Sequence, residues 1–169
     1  MRNRKLSIIL SVAVLLIVTT ACSLPVEGTW SSAQSKEQDG GTLDAQMIYS
    51  FSPKTGKEGD LQLRLTGKLT IDSLGDINFN FEAPGSYYSK KNTIYIVYDT
   101  TRIEANSAFH PTSFWGLLGS GTVNTSEIEQ SLKHDFLSEK DTLHNVKIVG
   151  KEMKLVRGEE SLTFLKEEQ

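Results

Sequence analysis

The chain lacks most of the residues and motifs on which catalytic and redox centres are built. It has one cysteine, Cys22, so an intramolecular disulfide and a CxxC redox pair are both excluded. It has no Gly-x-Ser-x-Gly elbow, phosphate loop or calcium loop. Ser120 stands between two glycines without an evident base, and the paired carboxylates look like cap and turn charges. We therefore expect no enzymatic activity, no catalytic residues and no cofactor.

Histidines are also scarce, which bears on metal binding. The three are His110, His134 and His144, and a trio with Asp135 or Asp141 is conceivable. None of them has a ligand spacing such as H-x-x-x-H, and His134 lies in a polar part of a predicted helix. The spacing favours surface or turn histidines, so no metal site is predicted.

A long apolar run is missing as well, and the run that exists has the form of an export signal. Basic residues within the first five positions precede Leu6–Val18, which is shorter than the roughly 20 residues that a membrane-spanning helix needs. Small and polar residues then lead to Cys22, the order of a secretory signal peptide. We predict a signal peptide over residues 1–21, a tether over 22–27 and one folded domain over 28–166.

The residues Val18-Thr19-Thr20-Ala21-Cys22 resemble the bacterial lipobox, although Thr19 stands where leucine is usual. The resemblance implies that the Cys22 thiol is acylated, with chains such as palmitate, and that the protein is membrane-anchored. Several acyl chains anchor a protein stably, whereas one binds marginally. Acylation would also exclude thiol chemistry and Cys-ligated zinc. The alternative is an ordinary cleaved signal with an incidental cysteine.

Acidic charge dominates what remains after the signal is removed. Removing the first 21 of 169 residues leaves 148, one domain by the usual size. The signal takes three of the 18 basic residues and none of the 21 acidic ones, so the mature net charge is −6. That balance argues against nucleic acid and against direct docking on anionic lipid headgroups.

Alternation of apolar and polar residues predicts a mainly β protein. Leu61–Ile71 has leucines and an isoleucine on one parity and polar residues on the other, typical of a strand with one buried face. Gly67 lies on the buried parity, where it indicates a bend or bulge. We predict about nine short strands, with a polar turn at residues 39–41 after a short first strand and a break at Pro84-Gly85.

One helix is predicted late in the chain. Ser126 and Glu129 fit a capping box, and Ile128, Leu132 and Phe136 form an apolar stripe, so the helix should span about 127–137. Three strands joined by tight turns follow it. The pattern favours an antiparallel up-and-down β-barrel, or a sandwich, with one short helix before the last three strands.

Gly28-Thr29-Trp30 opens the folded part and resembles the Gly-x-Trp motif of lipocalins and related calycins. The chain looks more like the small bacterial lipocalin-like lipoproteins than a classical lipocalin, because the Thr-Asp-Tyr motif is absent. The resemblance implies that Trp30 closes one end of the barrel under a basic side chain. Arg157 is the residue that we would map to that role.

Two functions are open for such a barrel. Inward-facing side chains could line a cavity for a small apolar ligand, or they could fill the barrel as a packed core. The candidates for such a lining are Met47, Tyr49, Phe51, Phe79, Phe81, Phe114 and Trp115.

In the second reading the protein is a structural or interaction lipoprotein that holds an envelope protein through its outer face. Phe109–Gly121, which has no clear period, could be a lid, a partner patch or a loop pinned onto the barrel end by its own aromatics. The expected location is the cell envelope. Ser23, rather than aspartate, follows Cys22, which favours the outer membrane if the source has two.

Overall fold

A computed structural model describes residues 24–38, 40–113, 117–118, 124–136 and 140–168. It contains nine strands, one helix and a 3-10 turn in this part of the chain. The strands are β1 (Gly28–Gln38), β2 (Gly41–Pro53), β3 (Glu58–Ile71), β4 (Gly75–Lys90), β5 (Thr93–Tyr98), β6 (Glu104–Pro111), β7 (Lys140–Val149), β8 (Glu152–Arg157) and β9 (Glu160–Lys166). The helix α1 is Thr125–Phe136, and the 3-10 turn is Thr100–Arg102.

Eight of the strands form a closed antiparallel barrel, which confirms the predicted fold class. Successive strands pair from β1 to β5, then β5 with β7, β7 with β8 and β8 with β9. The barrel closes where β9 returns to β1, through the pairs Trp30–Lys166 and Ser31–Leu165. The sixth strand, β6, lies beside β4 outside this ring, and α1 precedes the last three strands as predicted.

Alternation along each strand decides which side chains fill the barrel. In β3, Leu61 and Leu63 on one face are buried whereas Arg64 on the other face is exposed, as the two-faced pattern predicts. The inward parity of the other strands supplies the rest of one continuous core. Burial of this apolar area is the main stabilising term, at about 25 cal/mol per Å².

Gly67 has a different role from the predicted bend. The pairing of β3 with β2 and β4 runs through Gly67 without a shift of register, so there is no bulge. The ring of Phe79, on the neighbouring strand, occupies the space that a Cβ at this position would need. A glycine here leaves room for an aromatic ring on the inner face of the sheet.

The break predicted at Pro84-Gly85 is wrong, because β4 continues through both residues. On one side β4 pairs with β3 from Gly75 to Tyr88. On the other side it pairs with β6 up to Glu82 and with β5 from Gly85 onward. Pro84 falls between these partners, where its missing N–H is not needed and its carbonyl accepts the Asp99 N–H at 2.9 Å.

The first strand is longer than its polar sequence indicates. β1 has 11 residues and β2 begins at Gly41, which the predicted turn included, while Asp39 lies outside the described residues. Residues 33–37 of β1 are exposed although they pair with β2 along their length. This half of β1 extends beyond the pairs with β9, so it carries polar side chains on both faces and shows no clear alternation.

The helix supplies a hydrogen-bond acceptor to the free edge of β6. The capping box predicted at the start of the helix is wrong. The helix begins at Thr125, so Ser126 lies inside it rather than at its N-cap. Glu129 reaches across to β6, where its carboxylate accepts the Ser107 N–H at 2.8 Å and the Ser107 hydroxyl at 2.9 Å. The predicted apolar stripe consists of Ile128, Leu132 and Phe136, for which the structure describes the helical backbone but not the side chains.

We expect Glu129→Ala to lower the free energy of unfolding by about 1–3 kcal/mol, because it removes a charged acceptor from a partly buried backbone N–H. Urea unfolding followed by circular dichroism measures the change. Glu127→Ala is the control, since Glu127 lies on the same helix, is exposed and accepts from the exposed Asn124 side chain at 2.8 Å. Equal losses in the two variants would contradict this role for Glu129.

Candidate functional site

Trp30 is fully buried at the end of the barrel where the chain enters, hereafter the tether end. Its indole Nε1–H donates to the carbonyl of Val26 at 2.8 Å, and Val26 is itself buried. Leu24 packs against the same core. Gly28 has a φ of 107°, which a side chain would strain, and it turns the chain from Val26 into β1. Trp30 and Gly28 thus lie together at the tether end.

A cation lies over the Trp30 ring, but it comes from Lys166 rather than from the residue that we mapped. Lys166 pairs with Trp30 across β1 and β9, and its Nζ is 5.4 Å from the ring centroid. Arg157 belongs to β8, and its Nε–H donates to Asp141 at 2.7 Å. The motif Gly-x-Trp identified the tryptophan, whereas the position of its cationic neighbour depends on strand register.

Three of the predicted lining residues are packed inside the barrel. Tyr49, Phe51 and Phe81 are at most 2% exposed, while Met47 and Phe79 are half-buried nearer the opposite, distal end. Tyr49 packs against other aromatic rings: its ring centroid lies 5.5 Å from that of Phe164 and 5.9 Å from that of Phe51. Cys22, Phe114 and Trp115, the other predicted site residues, lie outside the described residues.

An interior cavity bounded by Met47, Leu65 and Phe164 has a volume of about 40 Å³. Pockets for small molecules usually have volumes of about 300–1,000 Å³. This cavity has room for a few water molecules but not for a drug-sized ligand. Around Trp30, Tyr49 and Phe81 the described side chains therefore form a packed core.

A polar cluster that the sequence analysis missed lies inside the barrel. The Tyr98 hydroxyl donates to Asp141 at 3.3 Å, and Arg157 donates to the same carboxylate oxygen. The Tyr49 hydroxyl faces this group, although it makes no well-formed hydrogen bond with a described residue. The four residues come from β2, β5, β7 and β8. Their common inward parity was the one available signal, and it shows only once the strands are in register.

Burial controls the ionisation of this cluster. Removal from water raises the pKa of Tyr49 to about 12, with Arg157 lowering it and Asp141 raising it to smaller extents. The pKa of Tyr98 lies well above its ordinary value, first because of burial and then because Tyr49 and Asp141 are near. Both phenols are therefore neutral at pH 7. The cluster pairs one cation with one carboxylate and offers no activated nucleophile, so its chemistry is that of a structural hydrogen-bond network.

A concave surface of similar size to the pockets that hold small molecules lies on the outer wall rather than inside, and we call it the wall groove. It crosses β2, β3, β4 and β5 below the 3-10 turn, with a volume of about 610 Å³. Its lining is mostly hydroxyl, amide and carboxylate groups. The residues include Ser50, Ser52, Asp60, Gln62, Ser86, Asp99 and Arg102.

Exposed apolar side chains border the wall groove. Tyr88 and Tyr95, on β4 and β5, are 45% and 44% exposed, and their rings stack with centroids 6.3 Å apart. Val97, which lines the groove itself, is 48% exposed. Such a stacked aromatic pair beside a polar groove is typical of a surface that contacts another molecule.

Neither a metal centre nor a spanning helix occurs in the described part of the chain. No three His, Cys, Asp or Glu side chains among residues 24–38, 40–113, 117–118, 124–136 and 140–168 are grouped closely enough to hold a metal ion. Within the same residues, no helix combines the length and apolarity that crossing a membrane requires. His110, His134 and His144 are exposed.

Comparison with known proteins adds no family name. The chain matches no protein-family model and no curated protein. The resemblance to lipocalin-like lipoproteins therefore depends on Gly28, Trp30, the lipobox-like residues before Cys22 and the closed barrel.

The raised pKa of Tyr49 predicts a loss of stability in alkali. Its folded pKa lies above the unfolded value of about 10, so its contribution is fully present below pH 10 and is lost as the pH rises to about 12. We expect Tyr49→Phe to reduce the slope of unfolding free energy against pH in this window, by up to about 1.4 kcal/mol per pH unit. Urea unfolding at pH 9–12 measures it, and an unchanged slope would contradict the assignment.

Proposed function

We propose that the protein is a lipid-anchored, non-enzymatic protein of the bacterial cell envelope that binds a protein partner through the wall groove. The observation that carries this proposal is the exposed Tyr88–Tyr95 stack beside a groove of about 610 Å³. The barrel supports the groove as a rigid wall, because β2, β3, β4 and β5 are paired continuously beneath it.

The chemistry of the groove suits a polar segment of protein. Its hydroxyl and amide side chains can donate and accept hydrogen bonds, while Asp60 and Asp99 supply negative charge and Arg102 supplies positive charge. Tyr88 and Tyr95 add rigid apolar area at little cost in conformational entropy, and tyrosine and arginine are enriched at binding hot spots. We therefore place the main contact at the Tyr88–Tyr95 stack and the specificity in the groove.

The lipid anchor in this proposal is supported by the sequence before the barrel and by the way the chain enters it. Leu24 and Val26 pack into the tether end, so only Ser23 separates the docked chain from Cys22. Acylated Cys22 would then hold the barrel close to the bilayer. The outer membrane is the proposed location in a source that has two membranes.

A second candidate function, binding of a small apolar ligand, is favoured by the distal half of the barrel. Met47, Leu65 and Phe79 are half-buried there, facing inward around the cavity of about 40 Å³ and beyond it. A ligand would have to occupy this distal region, because the tether half is filled by Trp30 and Tyr49. Native mass spectrometry of the purified protein tests it, and the detection of a co-purified molecule would support this second function.

The partner proposal is tested by photo-crosslinking in the source bacterium. A benzoylphenylalanine at position 95 should give a crosslinked product of defined mass, and Tyr88→Ala should reduce its yield at least fivefold. The control is the same probe at Thr163, an exposed position on β9 in the opposite part of the barrel. Absence of a product at position 95, or the same product at position 163, would refute the wall groove as the binding surface.

Lipidation is tested separately on the full chain. We expect the mature protein to begin at Cys22, to carry acyl mass on that residue and to partition with membranes. Cys22→Ser should abolish the acyl mass and release the protein from the membrane-anchored fraction, since the sequence contains no other cysteine. A mature protein with an unmodified Cys22 would refute the anchor while leaving the partner surface testable.

A further inference from the structure

Charge is distributed unequally between the two ends of the barrel. The tether end comprises the residues before β1, the residues after β9 and three turns, which join β2 to β3, β4 to β5 and β7 to β8. It also includes the three residues of each strand that adjoin these segments. It holds eight lysines and six carboxylates, whereas the remaining seven basic residues of the mature chain are outnumbered by 15 acidic ones. The lysines are Lys54, Lys57, Lys90, Lys91, Lys147, Lys151, Lys154 and Lys166.

Ion pairing leaves lysines rather than acids at the tips of the turns. Lys54 pairs with Asp60, Lys151 with Glu168 and Lys154 with Glu152. Lys57, Lys90, Lys91 and Lys147 are exposed and form no ion pair with a described residue. The carboxylates of this end without an ion pair among the described residues are Glu27, Glu58 and Glu167.

Two exposed aliphatic side chains lie at the same end. Val149, the last residue of β7, is 78% exposed beside the turn that carries Lys151, and Leu165 on β9 is 59% exposed. Basic groups with a few apolar side chains among them form a surface suited to a lipid interface. The turns at the distal end differ, because they carry Asp72 and Glu159.

We propose that the tether end of the barrel docks on the anionic phospholipid headgroups of the membrane. The direction in which the barrel faces depends on the proposed acylation of Cys22, but the attraction itself does not. Leu24 packs against the core two residues after Cys22, and two residues span about 7 Å at most. An acylated Cys22 would therefore bring Lys57, Lys90 and Lys91 within reach of the headgroups.

The net charge of −6 does not oppose this docking once the charges are placed. The 14 residues of β3 extend about 45 Å at ~3.3 Å per residue. Because the strand is tilted, its length along the barrel axis is shorter than this. The screening length at physiological ionic strength is about 8 Å. The distal acids are therefore screened from a surface that the tether end contacts.

The test uses the non-acylated chain from residue 23, which retains every described strand and the helix, and measures its sedimentation with vesicles. Binding should rise with the phosphatidylglycerol content of phosphatidylcholine vesicles and fall with added salt. The triple variant Lys57→Glu, Lys90→Glu, Lys91→Glu should reduce the partition coefficient at least tenfold. Circular dichroism of each variant establishes that the barrel is folded.

The matched control has the same change in net charge at other positions: Lys36→Glu, Lys68→Glu, Lys133→Glu. It should keep the partition coefficient within about twofold of the unsubstituted chain. Equal losses in the two triple variants, or no preference for anionic vesicles, would overturn the docking proposal. Because the chain carries no lipid in this assay, that failure would be distinct from a failure of the Cys22 anchor.

Discussion

The closure of β9 onto β1 is the constraint on which the rest of the structure depends. Among the described residues, two ladder pairs, Trp30–Lys166 and Ser31–Leu165, join β9 to β1, and the Glu167 N–H donates to the Thr29 carbonyl at 2.9 Å just beyond β9. The same short segment buries the indole, bonds it to Val26 and places Lys166 over its ring. Closure removes the free edges that β1 and β9 would otherwise expose at this level. It also fixes the end of the barrel at which Leu24 and Val26 pack.

Beyond that short seam the sheet is less completely closed, and the chain satisfies the remaining edge in another way. β6 follows β5 along the same side of β4 but, within the described residues, does not pair with β7. A helix residue, Glu129, supplies the acceptor that a neighbouring strand would have supplied to Ser107. The packed tether half and the more open distal half therefore differ in what they can do: one half is a rigid core, and the other has half-buried apolar side chains.

Because side chains fill the tether half of the barrel, the function proposed above is assigned to its outer surface. Tyr49, Phe81 and their neighbours stabilise the wall, and Tyr98, Asp141 and Arg157 hydrogen-bond one another within it. The outer face then offers two adjoining surfaces, a polar groove on the side and a basic end around the chain entry, with Tyr88 and Tyr95 at their boundary. Anchored in the proposed manner, the protein would rest on its basic end and present the groove directly above the membrane.

The sequence by itself determined the fold class and most of the strands, because alternation of apolar and polar residues is a local signal. It also identified Trp30 and the inward parity of Tyr49, Phe51 and Phe81. Only the tertiary structure decided the continuity of β4 through Pro84, the role of Gly67 and the cation over Trp30, since each depends on which strand lies alongside. The polar cluster and the basic end were invisible for the same physical reason: their members are far apart in the chain and meet only when the strands are in register.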